Sequence, residues 1–143
     1  MKKFNGLFPI RFDPKELEVN LGEGNFIFVG SGTDAWAFDI PPGWITRFLD
    51  YCNQFNNNYL FQSKDPSRFL EFMGHPVMQK SVLCTTIETN VFYPDIVRNA
   101  PNPRKRAQAM QKLANLGMRT CVTCEPLVKF DLPEMVELVS MCS

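Results

Sequence analysis

A parallel α/β fold, an open sheet of about four βα units arranged as a partial barrel, is what this sequence predicts. Three observations carry it. Four short apolar runs alternate with four segments that bear helix signals. The runs read as buried and not amphipathic, as in strands beneath crossover helices, which parallel pairing requires. Four strands are too few to close a barrel, because an eight-stranded interior is what side chains just fill. The sheet therefore stays open, gains a strand from residues 4–12, or pairs with another chain.

The first unit is "NFIFVG" (25–30), a polar "SGTD" loop, and "PPGWITRFLDYCNQF", whose apolar face carries Ile45, Phe48, Leu49, Cys52 and Phe55. The second is "NYLFQS" (58–63) followed by "DPSRFLEFM", where Asp65 is placed to cap a helix whose first position is Pro66. Gly74, His75 and Pro76 then stop it. The third is "SVLCTTIE" (81–88), a long polar loop, and the clearest helix in the chain, "NPRKRAQAMQKLANLG". In that helix Ala107, Met110, Leu113 and Ala114 share one face and Gly117 is the C-terminal cap. The fourth is "MRTCVTCEP" and a closing helix in "DLPEMVELVSMC", capped by Asp131 with Pro133 near its start.

No low-complexity linker separates these units, so residues 1–143 read as one domain, with 1–23 a lead-in and 24–143 the four units. Its 45% apolar content supplies a real core and argues against disorder. Lys plus Arg and Asp plus Glu both total 15, so the overall field that drives nonspecific nucleic-acid or membrane-surface binding is missing. Nucleic acid as a partner is thus unsupported by net charge, and no membrane association is expected. The start, "MKKFNGLFPIRFDP", breaks its apolar residues with Gly, Pro, Arg and Asp and lacks the hydrophobic region of a secretory signal. Five cysteines, an odd number at scattered positions, suit a reducing compartment. The expected location is cytoplasmic.

"RTCVTCEPL" (119–127) has CxxC spacing. On a strand, however, Cys121 and Cys124 point to opposite faces and cannot chelate one ion together. A redox CxxC also normally meets a helix N-terminus, and Pro126 and several further residues intervene here. Both are expected to be core cysteines, and no metal ligands are assigned.

Parallel α/β folds bind ligands beyond the carboxyl ends of their strands. The residues there are Ser31, Gly32, Thr33 and Asp34; Gln62, Ser63 and Lys64; Thr85, Thr86, Glu88 and Thr89; and Thr123 and Glu125. Any strand end emerging into water carries polar residues, but four such ends on one rim point to a ligand site. There is no GxGxxG or GxxxxGK[ST], which argues against a dinucleotide fold or a P-loop. His75 is the sole histidine and reads as a turn residue, leaving no base for a hydrolytic triad. Arg104, Lys105 and Arg106 crowd the start of the clearest helix, where the macrodipole disfavours cations. Either solvent screens them or an anion lies nearby.

Four blocks occur in a specific order: "FIFVGSGTDAW", a strand ending in Ser/Thr-Asp; "LFQSKDPSRFL"; "SVLCTTIETN"; and "APNPRKRAQAMQKLANLGMRTCVTCEPL", an Arg-rich helix with an LxxxG end and a strand closing in Pro. Together, over about residues 24–140, they resemble the radical S-adenosylmethionine (SAM) superfamily, in particular its spore photoproduct lyase-like branch and phage-associated relatives. The resemblance implies a partial TIM-type barrel with SAM as cofactor. The loop Ser31, Gly32, Thr33 and Asp34 would meet the amino group of SAM, and Thr86 and Glu88 its ribose or carboxylate. Lys64 and Glu125 complete the candidate set on the rim. The family's CxxxCxxC, which binds an iron-sulfur cluster, has no counterpart in this sequence, and "KKFNGLFPIRFDPKELE" resembles the family segment immediately downstream of that motif. The expectation is therefore a core lacking its first unit, not competent as it stands. A cluster would be present only if a preceding segment supplied the cysteines. The parent activity would be radical chemistry on a substrate that the sequence does not identify, nucleic acid being the analogy offered by the lyase branch.

A different class of function is a binding or regulatory module of phage or mobile-element type. Its open sheet edge would meet a partner chain or a second copy, and two four-strand halves would make an eight-strand barrel as a homodimer. A flavodoxin-like hydrolase or ligand-binding domain ranks last, for want of a nucleophile and base.

Overall fold

The computed structural model describes residues 10–91, 93 and 100–143. Four strands, β1 (Phe26–Val29), β2 (Asn58–Gln62), β3 (Ser81–Thr86) and β4 (Arg119–Thr123), lie side by side in chain order, every pair parallel. The fold is α/β, as the sequence predicts. Most of residues 4–12, which are one of three alternatives for completing the sheet, and much of the polar loop after β3 lie outside the described residues. Residues 10–12 form no strand.

The connections carry α1 (Pro42–Asn53), α2 (Pro76–Gln79), α3 (Pro103–Asn115) and α4 (Leu132–Ser140), with 3-10 turns at Pro14–Glu18 and Pro66–Phe72. Each begins with Pro at its first or second position, where the missing N–H would be unpaired in any case. Asn102 Oδ1 accepts from the Lys105 amide at 2.9 Å and Asp131 Oδ1 from that of Glu134 at 3.1 Å, capping α3 and α4. At the far end of α3 Gly117 takes φ +81°, and the amides of Gly117 and Met118 close on Ala114 and Leu113 at 2.9 and 3.1 Å.

The "DPSRFLEFM" segment departs from expectation. It winds as a 3-10 turn, and the Asp65 carboxylate takes the Ser67 hydroxyl in place of a backbone amide. A separate short helix, α2, then precedes β3. His75 caps it, its Nδ1 accepting from the Val77 amide at 3.3 Å while Nε2 faces Asp50 Oδ1 at 3.2 Å.

One hydrophobic core joins the helices to a single face of the sheet. Ile27 and Val29, Tyr59 and Phe61, Leu83, and Val122 point into it from the four strands. Ile45 and Leu49 of α1, Met110 and Leu113 of α3, and Leu138 of α4 meet them. Trp36, in the loop after β1, is 1% exposed and sits edge-on to Phe48, Phe61, Phe69 and Phe72 at centroid distances of 4.7 to 5.7 Å.

The other face of the sheet carries no helix among the described residues. Phe26 and Phe28 are 61% and 44% exposed there, and Leu60 and Val82 are only half-buried. Runs read as buried and not amphipathic suggest strands covered on both faces, and this is the correction to that expectation. When parallel strands follow one another in order, crossovers of one hand all return on the same side. No helix among the described residues is long and apolar enough to cross a membrane.

Trp36→Ala should cost about 3–5 kcal/mol of stability, read from urea unfolding. A loss below about 1 kcal/mol would mean that the aromatic cluster is not what closes the core over β1.

Candidate functional site

The polar ends of the strands meet at one edge. After β1, Gly30 takes φ +75° and turns the chain, with the Thr33 amide closing on its carbonyl at 3.0 Å. A Cβ at Gly30 would lie 3.1 Å from the Thr33 carbonyl oxygen, so the turn depends on glycine both for φ and for space. The turn aims Asp34 at the end of β2. Its Oδ2 accepts from the Ser63 hydroxyl at 3.0 Å and the Lys64 amide at 2.9 Å, and its Oδ1 accepts from the Trp36 amide at 3.1 Å. Three of the roughly four acceptor positions of the carboxylate are used.

Lys64 continues the chain of contacts. Its side chain is 44% exposed and its Nζ lies 3.5 Å from Glu88 Oε1. Glu88 is 1% exposed and is gripped by Arg106, itself 0% exposed, through Nη1 to Oε2 at 2.7 Å and Nη2 to Oε1 at 3.1 Å. Two further guanidinium donors reach the carbonyls of Pro101 and Thr86, both at 2.7 Å. Burial pushes the Glu88 carboxyl up. The Arg106 hydrogen bonds and the charges of Arg106 and Lys64 outweigh it, and the group is held below its ordinary value.

Beside this pair, Gln62 Nε2 donates to Thr86 Oγ1 at 3.0 Å and Thr123 Oγ1 at 2.9 Å, and the two hydroxyls are 3.0 Å apart. Of these, Gln62 and Thr86 line an open cleft of about 260 Å³. Phe28, Ser31, Thr33 and Asp34 line it from the β1 side, Gln62, Ser63 and Lys64 from β2, and Thr86 from β3.

The structure thus brings together Ser31, Thr33, Asp34, Gln62, Ser63, Lys64 and Thr86 of the residues singled out by sequence. Gly32 belongs to the same turn but does not line the cleft. Glu88 lies beneath, reached through Lys64. Glu125, past the end of β4, is exposed and outside the lining.

The Phe28 ring went unassigned in the sequence, and so did the bonding of Gln62, Thr86 and Thr123, named there only as separate strand ends, into one triad. Aligning the ends of the four runs by register would have found the triad. The basic cluster also resolves differently from plain solvent screening: the anion near the start of α3 is Glu88, paired to Arg106. Arg104 bonds Glu137 at 3.2 Å on the surface, and Lys105 is exposed.

Cys121 and Cys124 face apart, as alternation requires. Cys124 packs toward the core, whereas Cys121 lies on the uncovered face opposite Cys84 and is not a core residue. Cys52 and Cys142 are buried, and burial raises each thiol to about 11. Among the described residues no three His, Cys, Asp or Glu side chains are grouped to hold a metal ion. The five cysteines therefore do not fit an iron-sulfur cluster. No family model, no curated protein and no solved structure matches the chain.

Glu88→Gln leaves the Arg106 charge buried without its counter-ion and should cost about 3–5 kcal/mol at neutral pH. Because the folded carboxyl is depressed, its contribution is fully present above the ordinary value of 4.5 and is lost as pH falls through the folded value. The stability gap between wild type and variant, measured by urea unfolding, should narrow in acid below that value. A gap that stays constant into strong acid would contradict a charged Glu88.

Proposed function

We propose that the cleft at the carboxyl edge of the sheet binds SAM, a nucleoside that carries both an ammonium and a carboxylate. The supporting observation is the meeting of four chemistries in one cleft: the exposed Phe28 ring, the Asp34 carboxylate with an unused acceptor position, the Ser31, Thr33 and Thr86 hydroxyls, and the half-exposed Lys64 ammonium. A ring face suits a purine or a sulfonium. Hydroxyls suit a ribose, Asp34 the ligand's ammonium, and Lys64 its carboxylate. The resemblance of the four sequence blocks to the radical SAM superfamily supports the same ligand.

The proposed activity of this chain by itself is binding. Reductive cleavage of SAM requires a cluster that its own cysteines do not hold. With a cluster supplied from elsewhere, the parent activity would be radical chemistry on a substrate still to be identified, nucleic acid being the analogy offered by the lyase branch.

A second function is favoured by one observation, the exposure of Phe26 and Phe28 on and beside a β1 edge that pairs with no further strand among the described residues. It is self-association through the uncovered face, which would hide an apolar strand that otherwise invites pairing.

Calorimetric titration with SAM should give saturable binding with a Kd of about 0.1–1 mM. Asp34→Asn should weaken it about tenfold or more through loss of a charge-assisted hydrogen bond. Absence of saturable binding would overturn the SAM reading. A concentration-dependent dimer in sedimentation, abolished by Phe26→Ser with Phe28→Ser, would establish self-association, and a monomer at every concentration would exclude it.

A further inference from the structure

Two thiols stand together where their spacing in the sequence gives no sign of it. Cys84 and Cys121 are register partners across β3 and β4. Both belong to the uncovered face, in the row that begins with Gln62 on β2. Cys84 is buried and Cys121 is half-buried, so one thiol is reachable and the other stands behind it. Neighbouring strands lie about 4.8 Å apart, inside the roughly 4.4–6.8 Å range of Cα separations that a disulfide spans. The other three cysteines lie elsewhere: Cys124 toward the helix-covered face, and Cys52 and Cys142 within the core.

We propose that Cys84 and Cys121 form a reversible dithiol–disulfide pair that links β3 to β4 on the uncovered face, with low-molecular-weight disulfides such as oxidised glutathione as the co-reactant. The electrostatics support an order of events. A hydrogen bond from Cys84 lowers the Cys121 thiol against the opposing effect of burial, while the same contact, with burial, raises Cys84.

Cys121 is the attacking sulfur. Its thiolate displaces one thiolate from the small disulfide and becomes a mixed disulfide. Cys84 then attacks the Cys121 sulfur, giving up its proton to solvent, and the second small thiolate leaves. One protein dithiol is oxidised and one small disulfide is reduced to two thiols.

The bond should be easy to reverse. Strand spacing holds the two Cβ atoms farther apart than the roughly 3.8 Å a relaxed disulfide prefers, and such bonds are more reducible. It would also lie two residues before the Thr86–Thr123 pair, of which Thr86 lines the cleft.

The test uses the full, folded chain with oxidised glutathione, an alkylating quench and peptide mapping by mass spectrometry. The expected product is a monomer lighter by two hydrogens, with Cys84 and Cys121 peptides cross-linked and the bond reopened by reduced glutathione. In the reduced chain Cys121 should alkylate first. Cys84→Ser and Cys121→Ser should each abolish the cross-link, and Cys124→Ser should leave it. Wild-type mapping decides the matter even where a serine variant fails to fold. A persistent glutathione adduct on Cys121, a cross-link to any other cysteine or between chains, or a cross-link formed only in denaturant would each overturn the proposal. None of these readouts depends on SAM.

Discussion

Three successive crossovers that return on the same side of a parallel sheet set the terms for everything else in this molecule. Strand order β1-β2-β3-β4 with one crossover hand leaves no means of covering the second face with the connecting helices. Alternate residues of each strand therefore enter two different environments. Ile27, Val29, Tyr59, Phe61 and Leu83 join the core, while Phe26, Phe28, Leu60, Val82 and Cys121 do not. The same winding brings all four carboxyl ends to one edge, which is why loops distant in sequence share a cleft.

That edge is held by a continuous run of polar contacts from the β1 loop to α3. Asp34 fastens the loop to Ser63 and Lys64, Lys64 reaches Glu88, and Glu88 is clasped by Arg106. Burying a carboxylate and a guanidinium carries a large desolvation cost. Here both Glu88 oxygens are paired to Arg106, and three of the guanidinium nitrogens find acceptors, so neither charge is left bare. Bidentate geometry makes such a pair directional. It fixes where the segment after β3 passes relative to α3, and so fixes the depth at which Lys64 stands in the cleft. The one buried polar atom left without a partner among the described residues, Arg68 Nε, lies outside this run.

Elements with strong local signals were legible in the sequence. Pro at helix starts, Asp131 as a cap and Gly117 as a stop act through neighbours within a few residues, and they fall where expected. The parallel pairing followed from alternation of strand and helix. What was not legible depends on contacts between remote residues. The partner of Arg106 is 18 positions away, across a polar loop that carries no register information. A reading confined to the local macrodipole could only weigh solvent against an unnamed anion. CxxC spacing drew attention to Cys124, yet the residue that meets Cys121 is Cys84, visible only once β3 and β4 are set in register. The bare face was hidden for a further reason: Phe26 and Phe28 are as apolar as their buried neighbours, and hydrophobicity alone does not report which side a helix covers.

Registered across the sheet, the uncovered face changes chemistry along the strand direction. Phe28, Leu60 and Val82 make an apolar row that ends in Arg119; Gln62, Cys84 and Cys121 form the next; Thr86 and Thr123 form the last. The proposed small polar ligand would meet the threonine end and the rim loops, whereas a second copy would find its contact area at the phenylalanine end. The thiols lie between. Phe28 belongs to both territories, since its ring heads the apolar row and also lines the cleft. A ligand stacked on Phe28 and a protein surface packed on it would contend for the same ring. The two functions proposed for this sheet are therefore coupled negatively through one side chain, and by linkage each would weaken the other by the same factor.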